Sequence, residues 1–153
     1  MDAPAVLTFS GCAEYLDAHP EQQDTQARIF VKFRPRGVDR SLHFLALLDT
    51  GGCFCILHRD VADLLGEHLT SRLDRVKLRT ARGLIQGDLH RHGITIIADA
   101  GESLEIDSLV FVSPEWEAAN FLGYTGTLDR ARFAIDPSRN LFYFTSPDLE
   151  VHA

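Results

Sequence analysis

One carboxylate in this chain has the surroundings of a catalytic group. Asp49 is followed at once by Thr50, Gly51 and Gly52. The run before it, 42–48, is almost wholly apolar, which is typical of a strand buried on both faces. An ion at the end of such a strand is costly to desolvate unless it has a partner or a task. The glycines permit a tight loop and the close approach of another backbone. The alternative is an ordinary turn, since Asp and Gly dominate turns.

The elements that must position Asp49 are mainly strands. Residues 29–34 alternate between apolar and polar types, as a half-buried strand does. Strand patterns recur along the chain at 29–34, 42–48, 54–57, 76–78, 84–89, 93–98, 104–112, 133–135 and 141–144. Two short helices are predicted: one capped by Asp60 and ended by Gly66, the other spanning 125–131 and capped by Thr125. The fold class is therefore mostly β with one or two short helices.

Two further stretches complete an ordered set of motifs. Residues 78–87 place glycines at both ends of Gly83-Leu84-Ile85-Gln86-Gly87, after an arginine-rich strand pattern. Phe121-Leu122-Gly123 pairs two apolar residues with a glycine, ahead of the second predicted helix. With the strand that ends in Asp49, this order resembles the retropepsin-like aspartic proteases from about 27 to 144. The first stretch resembles the flap hairpin of that family, and Gly52 departs from its usual Ala or Ser.

The resemblance implies a β-barrel and a catalytic pair of carboxylates. Two carboxylates that share one proton can act as base toward water and as acid toward a carbonyl. The chain contains a single Asp-Thr-Gly, so the second Asp49 would come from another copy across a two-fold axis. Thr50 would hydrogen-bond across that axis, and Gly51 and Gly52 would let the two loops meet. Leu122 and Gly123 would support the loop.

The resemblance also implies the substrate and its contacts. An extended peptide would lie between the flap and the two carboxylates and add backbone hydrogen bonds as an extra strand. Arg82, Gly83 and Leu84 at the flap are the predicted contacts. The implied function is an aspartic endopeptidase active as a homodimer, without a cofactor. The alternative is a non-catalytic dimeric module that binds peptides or assists assembly, because a fold does not fix a function.

Metal chemistry has less support in the sequence. Cys53, Cys55 and His58 have the residue types of a metal site, and the two cysteines are predicted to share one strand face. No second ligand cluster follows at zinc-finger spacing. His90 and His92 alternate along a predicted strand, which we interpret as a solvated face. We therefore predict no metal. A lone Trp116 is interpreted as packing over the domain edge, with lining of a groove as the alternative.

Composition sets the remaining expectations. The 153 residues are 45% hydrophobic and 24% charged, which fits one globular domain. A net charge of −7 argues against nucleic acid as the partner, and the basic stretch 72–82 is interpreted as a solvated face. No apolar run reaches the roughly 18 residues that span a membrane, and the start lacks a signal-peptide pattern. Three cysteines without a disulfide pattern favour the cytoplasm.

The domain boundaries follow from the same patterns. We expect a loosely ordered lead-in at 1–26 that holds at most a short strand or turn, a domain at 27–147 and a tail at 148–153. The hairpin at 133–144 is expected to end in an apolar edge strand, 141–144, that a second copy would cover.

Overall fold

The computed structural model describes residues 6–18 and 28–148, and strands dominate both segments. One α-helix, α1 (Arg59–Leu65), and two short 3₁₀ turns (Gly66–His68 and Leu128–Arg130) accompany them in this part of the chain. The mostly β prediction is confirmed. The strands are β1 (Gly11–Glu14), β2 (Phe30–Pro35), β3 (Phe44–Cys53), β4 (Cys55–Ile56), β5 (Arg72–Thr80), β6 (Gly83–Ile96), β7 (Ala100–Gly101), β8 (Leu104–Val112), β9 (Asn120–Thr125), β10 (Arg132–Asp136) and β11 (Leu141–Thr145).

The strands form two sheets. The larger has the order β2-β3-β9-β4-β8-β6-β5, and β2 also pairs with β6. That extra pairing joins β2, β3, β9, β4, β8 and β6 into a closed ring of hydrogen-bonded strands, from which β5 extends as a hairpin with β6. The smaller sheet has the order β10-β11-β1-β7. A closed ring leaves few unpaired edges, which limits edge-to-edge association.

The inward residues of the ring make the main core. Val31 and Phe33 on β2 and Ile94 and Ile96 on β6 are fully buried, as their alternation in the sequence requires. A second, smaller cluster gathers around Phe111 on β8 and lies beneath the β5–β6 hairpin. Its buried members are Ile56, Ile85, Phe111 and Trp116.

The strand β6 is continuous where the sequence predicted two strands, 84–89 and 93–98. A Cβ on Gly87 would lie 2.3 Å from the carbonyl oxygen of Val112 and 2.5 Å from the ring of Phe111. Gly87 therefore marks a close approach of β8 to β6, rather than a turn.

Both predicted helices differ from the expectation. In α1 the cap is His58, whose Nδ1 accepts a hydrogen bond from the backbone N–H of Asp60, so Asp60 lies in the first turn. The end at Gly66 is confirmed. The second helix shrinks to Leu128–Arg130 because Gly126 has a φ of +80°, which ends any right-handed helix that starts at Thr125.

The predicted apolar edge at 141–144 is wrong. β11 is an inner strand that pairs with β10 on one side and with β1 on the other. Phe142 and Phe144 are already fully buried within one copy. β1 lies within the predicted lead-in at 1–26, of which residues 1–5 and 19–26 lie outside the described residues, as do 27 and 149–153. The domain boundaries stay a prediction.

Two interpretations of side-chain faces are also wrong. Cys53 is exposed and Cys55 is buried, because Phe54 between them has a φ of +59° and interrupts the alternation. His90 and His92 share a face, but it is buried: their side chains are 7% and 2% exposed. His90 Nδ1 lies 2.6 Å from the carbonyl oxygen of Thr70, and the N–H of Thr70 donates to His92 Nδ1.

Candidate active site

Asp49 lies on β3 where that strand runs beside β9. The two strands are parallel, with Leu48 opposite Leu122 and Asp49 opposite Gly123. The register then shifts, and Cys53 is the next residue paired, with Thr125. The intervening residues bulge into a loop. Within it the backbone N–H of Gly51 donates to Asp49 Oδ1 over 3.1 Å, which fixes the carboxylate in the bend.

Gly52 and Gly123 are required by space. A Cβ on Gly52 would lie 2.5 Å from Asp49 Oδ2, so the carboxylate occupies the room that a side chain would need. A Cβ on Gly123 would lie only 2.0 Å from the carbonyl oxygen of Phe54. These contacts explain why glycine occupies both positions. The two chain segments are pressed against each other around Asp49.

The strand of Asp49 is anchored from below by a buried amide. Asn120 at the start of β9 is 8% exposed. Its Nδ2 donates to the carbonyl oxygen of Leu45 on β3, over 3.0 Å. Its Oδ1 accepts from the backbone N–H of His58, over 2.7 Å. One side chain thus links β3, β9 and the start of α1, and holds the loop of Asp49 in register.

The flap, defined as the hairpin of β5 and β6, is closed by a two-residue turn. Thr80 pairs with Gly83, and Ala81 and Arg82 form the tip. Gly83 has a φ of +105°, a conformation that glycine adopts without strain. The Thr80 hydroxyl donates to the carbonyl oxygen of Gly83 and accepts from the N–H of Arg82. The sequence expectation of a hairpin at 78–87 agrees with these pairings.

A loop from β8 supports the flap from one side. The Ser113 hydroxyl donates to the carbonyl oxygen of Gln86 over 2.7 Å, and the N–H of Gln86 donates to Glu115 Oε2. Trp116 Nε1 donates to the carbonyl oxygen of Ala119, and its ring packs against Phe121. The loop therefore sets the position of Trp116 beneath the flap.

Two hollows meet at Asp49. One has a volume of about 540 Å³ and the other about 690 Å³. Both are lined by Asp49, Ala81, Trp116 and Phe121, so the carboxylate, the flap tip and the aromatic pair border one continuous cleft. The remaining residues are those of the first hollow (Gly51, Gly52, Cys53, Ile56, Leu78, Arg79, Thr80) and of the second (Arg28, Ile29, Leu47, Leu48, Arg82, Glu117, Ala118, Ala119).

A third hollow of about 520 Å³ lies away from Asp49, between β1 and the β2–β3 pair. Its charged side chains include Lys32 and Asp99, which form an ion pair with each other. Its other titratable lining residues are Cys12, Glu14 and His43, and none of the predicted site residues lines it. The cleft at Asp49 is the better candidate for chemistry.

The described cysteines and histidines have structural surroundings. Across residues 6–18 and 28–148, no group of three or more His, Cys, Asp or Glu side chains is close enough to hold an ion. Burial raises the pKa of Cys55 to about 12, which keeps that thiol protonated and unreactive. Burial also lowers the pKa of His92, whose Nε2 lies 2.7 Å from the carbonyl oxygen of Arg36. Both groups are structural.

The predicted site residues fall into three groups. Asp49, Gly51, Gly52 and Arg82 line the cleft. Leu122 is fully buried behind Leu48, and Gly123 lies against Phe54, so both shape the loop from below. Thr50, Gly83 and Leu84 are exposed and do not line the cleft in a single copy.

Sequence reasoning missed part of the cleft wall. Leu78 and Arg79 line it from β5, and Ile56 lines it from β4. Trp116 is both a core residue, 6% exposed, and a lining residue. Leu78 has a signal in the sequence, since Val76 and Leu78 alternate with Lys77 and Arg79 as a half-buried strand does.

No helix in the described chain is long and apolar enough to cross a membrane.

Comparison with known proteins gives structural matches. No family model matches the chain, and no curated protein does. The retroviral protease-like domain of Ddi1 from Leishmania major is 17% identical, with a TM-score of 0.47 over 82% of this chain and 92% of that one. A retropepsin-like aspartic protease from Rickettsia conorii is 13% identical, with a TM-score of 0.49 over 97% of this chain and 100% of that one. Their descriptions, retroviral protease-like and retropepsin-like, name the type of protein that the order of motifs resembles. The activity of each belongs to that protein.

Proposed function

We propose that this chain is an aspartic endopeptidase that works as a homodimer, with one Asp49 from each subunit. The observation that supports it most directly is the placement of the Asp49 carboxylate. One oxygen is held by the Gly51 N–H, and the side chain borders a cleft whose other wall is the tip of a β-hairpin. A carboxylate fixed in a cleft beneath a hairpin tip is the arrangement that peptide hydrolysis by this chemistry needs.

The second subunit is needed because one copy supplies one usable carboxylate. Asp49 and Glu117 are the acidic residues that line the cleft, and Glu117 is engaged by Arg59. Aspartic catalysis needs two carboxylates at hydrogen-bonding distance that share a proton. The Thr50 side chain is exposed and makes no hydrogen bond within the described residues. A two-fold axis beside this loop would bring both copies of Asp49 and Thr50 together.

The reaction then follows from two carboxyl groups in different protonation states. The ionised Asp49 takes a proton from a water molecule as the water oxygen attacks the peptide carbonyl carbon. The protonated Asp49 of the other subunit gives its proton to the carbonyl oxygen, which produces a gem-diol. In the collapse of that intermediate, the carboxyl group that took the water proton gives it to the amide nitrogen, and the C–N bond breaks to release an amine. The other carboxylate takes a proton from one gem-diol hydroxyl, which leaves the carboxylic acid product.

The flap would hold the peptide against this pair. Its tip at Ala81 and Arg82 borders the cleft, and a bound peptide in extended form would add backbone hydrogen bonds to it. The apolar wall of Ile56, Leu78 and Trp116 would exclude water from the reacting bond. Exclusion of water strengthens the electrostatic effect of the carboxylates on the transition state.

Replacing Asp49 by Asn tests the proposal. We expect peptide-library cleavage to fall by a factor on the order of 10² to 10⁴, because the acid–base group is lost while the shape is kept. Asp63→Asn is the matched control, since Asp63 is exposed on α1. The dimeric peptide-binding module without catalysis predicts instead that wild type cleaves nothing between acidic and neutral pH, while it still binds peptide.

Mixing subunits tests the shared site. Equal amounts of wild type and Asp49→Asn, allowed to exchange, should leave only about a quarter of the dimers with two Asp49 residues. Activity per wild-type chain should therefore fall by about half. Activity that stays proportional to the wild-type chains present would show that each copy works alone. Sedimentation that finds only monomer in the active preparation would contradict the dimer in the same way.

A further inference from the structure

The flap carries an excess of positive charge that ion pairs only partly neutralise. Its segment 72–82 has five basic side chains (Arg72, Arg75, Lys77, Arg79, Arg82) and one acidic side chain (Asp74). Arg72 and Arg75 lie 3.5 Å and 3.4 Å from Asp88 on the facing strand. Lys77, Arg79 and Arg82 make no side-chain ion pair with the residues that the structure describes. The charge at the far end of the flap is therefore available to a ligand.

Two of these side chains border the cleft on either side of Asp49. Arg79 lines the hollow that contains Gly52 and Ile56. Arg82 lines the hollow that contains Leu47 and Leu48. Since both hollows include Asp49, a peptide laid through them would pass a guanidinium on each side of the scissile bond. The symmetric copy in the proposed dimer would double this number.

The rest of the cleft has few charged groups that would bind or repel an acidic side chain. Its floor is apolar, from Ile56, Leu78, Trp116 and Phe121. Glu117 is engaged by Arg59. The whole chain carries a charge of −7, so an acidic peptide is repelled at long range and attracted only near the flap tip. Such a peptide would be held at the flap tip.

We propose that Arg79 and Arg82 select peptide substrates with acidic side chains on one or both sides of the scissile bond. This rests on the protease function proposed above and names the substrate class for the same cleft. A guanidinium forms bidentate hydrogen bonds with a carboxylate, which gives the contact direction as well as charge. Arg79 and Arg82 are specificity-determining residues, and Asp49 remains the catalytic one.

Nucleic acid is the other polyanion that a basic hairpin attracts, and the cleft fits it poorly. Nucleic-acid affinity comes from neutralising many phosphates along a positively charged surface. Here three guanidinium groups, those of Arg28, Arg79 and Arg82, border a groove with an apolar floor, in a chain of net negative charge. An extended peptide with alternating acidic and apolar side chains matches both features.

The expected size of the effect is modest for each residue. Both arginines are exposed, and exposed ion pairs contribute about a two- to fivefold preference each. Together they predict roughly a 4- to 25-fold preference for the acidic peptide over its neutral counterpart. Raising the ionic strength from about 0.05 M to about 0.5 M shortens the screening length to about 4 Å and should reduce this preference to near one.

Binding to the Asp49→Asn dimer tests the inference independently of cleavage. The probes are a fluorescein-labelled peptide with Phe-Leu at its centre and Glu at its outer positions, and the same peptide with Gln. Fluorescence anisotropy should show the preference in Asp49→Asn and its loss when Arg79→Gln and Arg82→Gln are added. Arg75→Gln is the control, because Arg75 lies on the same hairpin beside Asp88. Thermal melts confirm that each variant folds.

The outcomes separate this inference from the protease proposal. Equal binding of the Glu and Gln peptides overturns it, and so does a preference that survives the loss of both arginines. Displacement of the Glu peptide by single-stranded DNA at a lower concentration than by unlabelled peptide also overturns it, in favour of nucleic acid. If the preference is present but wild type cleaves neither peptide, the inference about the ligand stands and the protease proposal fails. If wild type cleaves the Glu and Gln peptides equally well, the protease proposal stands and the inference about the acidic ligand fails.

Discussion

Replacing Gly123 by Ala should damage both the stability and the activity of this protein. The new Cβ would lie 2.0 Å from the carbonyl oxygen of Phe54 and 2.8 Å from two further backbone carbons. An ordinary carbon–oxygen contact is about 3.3 Å, so the shortfall is about 1.3 Å. Rotation of a side chain cannot relieve it, because all three atoms belong to the backbone. The neighbouring strand β4 is itself held on both sides, by β8 and β9.

The size of the expected loss in folding free energy follows from the rigidity of the backbone around Gly123. Overpacking in a core costs about 1–3 kcal/mol when some relaxation is available. Here β9 or the Phe54 turn must move, so we expect a loss of about 3 kcal/mol. For a chain of this length that corresponds to a fall in Tm of about 6–12 °C. Gly123 is opposite Asp49 in the ladder, so the same movement displaces the carboxylate.

Gly51→Ala is the matched control within the same loop. Its Cβ would meet only Asp49 Oδ1 at 3.7 Å, an ordinary van der Waals distance. We expect its stability to be unchanged or raised slightly, because alanine lowers the entropy of the unfolded chain. Circular-dichroism melts at one fixed protein concentration compare the variants, and peptide cleavage follows. A Gly123→Ala protein that melts within about 2 °C of wild type and cleaves at the same rate would refute the reasoning.

Three other changes test separate parts of the structure. Gly52→Ala introduces a residue that is usual at this position in the retropepsin-like proteases, but here its Cβ would lie 2.5 Å from Asp49 Oδ2. We therefore expect at least a severalfold loss of kcat in peptide cleavage with little change in Tm. An unaltered kcat would contradict this. Because burial lowers the pKa of His92, the unfolded chain takes up a proton first, and the free energy of unfolding should fall as pH drops below about 6.5. Urea titrations at about pH 7.5 and about pH 5.5 should show a smaller difference in His92→Gln than in wild type, and equal differences would count against the assignment. Finally, iodoacetamide should label the exposed Cys53 in the native protein and the buried Cys55 only in denaturant, as mass spectrometry of the peptides can show.

Local patterns in the sequence were enough to predict the strand and the loop that contain Asp49. The apolar run 42–48, the carboxylate and the glycines predict a strand that ends in a crowded loop. The 76–78 pattern predicts a strand, and these signals are local because they depend on residues close together in the chain. The hairpin at 78–87 was expected only from the resemblance of that stretch to the flap of the retropepsin-like proteases.

The features that sequence reasoning missed depend on distant contacts. Gly87 was placed inside a predicted strand, 84–89, but its close contact with Phe111 on another strand was not predicted. His90 and His92 looked like a solvated face, and they are buried because the backbone of Thr70 supplies their hydrogen bonds. Similarly, the cover over β11 comes from β1, more than a hundred residues earlier in the chain. Single-sequence patterns carry no information about such partners.

The parallel pairing of β3 with β9 has a consequence for the time at which the site can form. Asp49 and its ladder partner Gly123 are separated by most of the domain, and pairing between such distant strands is slow compared with local hairpin formation. During synthesis the chain emerges from its amino-terminal end, so the loop of Asp49 lacks its ladder partner until β9 has been made. β1 must likewise wait for β11, which is made last of the described strands. A growing or truncated chain without β9 therefore has an Asp49 loop that only the local Gly51 hydrogen bond and β2 can hold, and the complete cleft cannot form in a partly made copy.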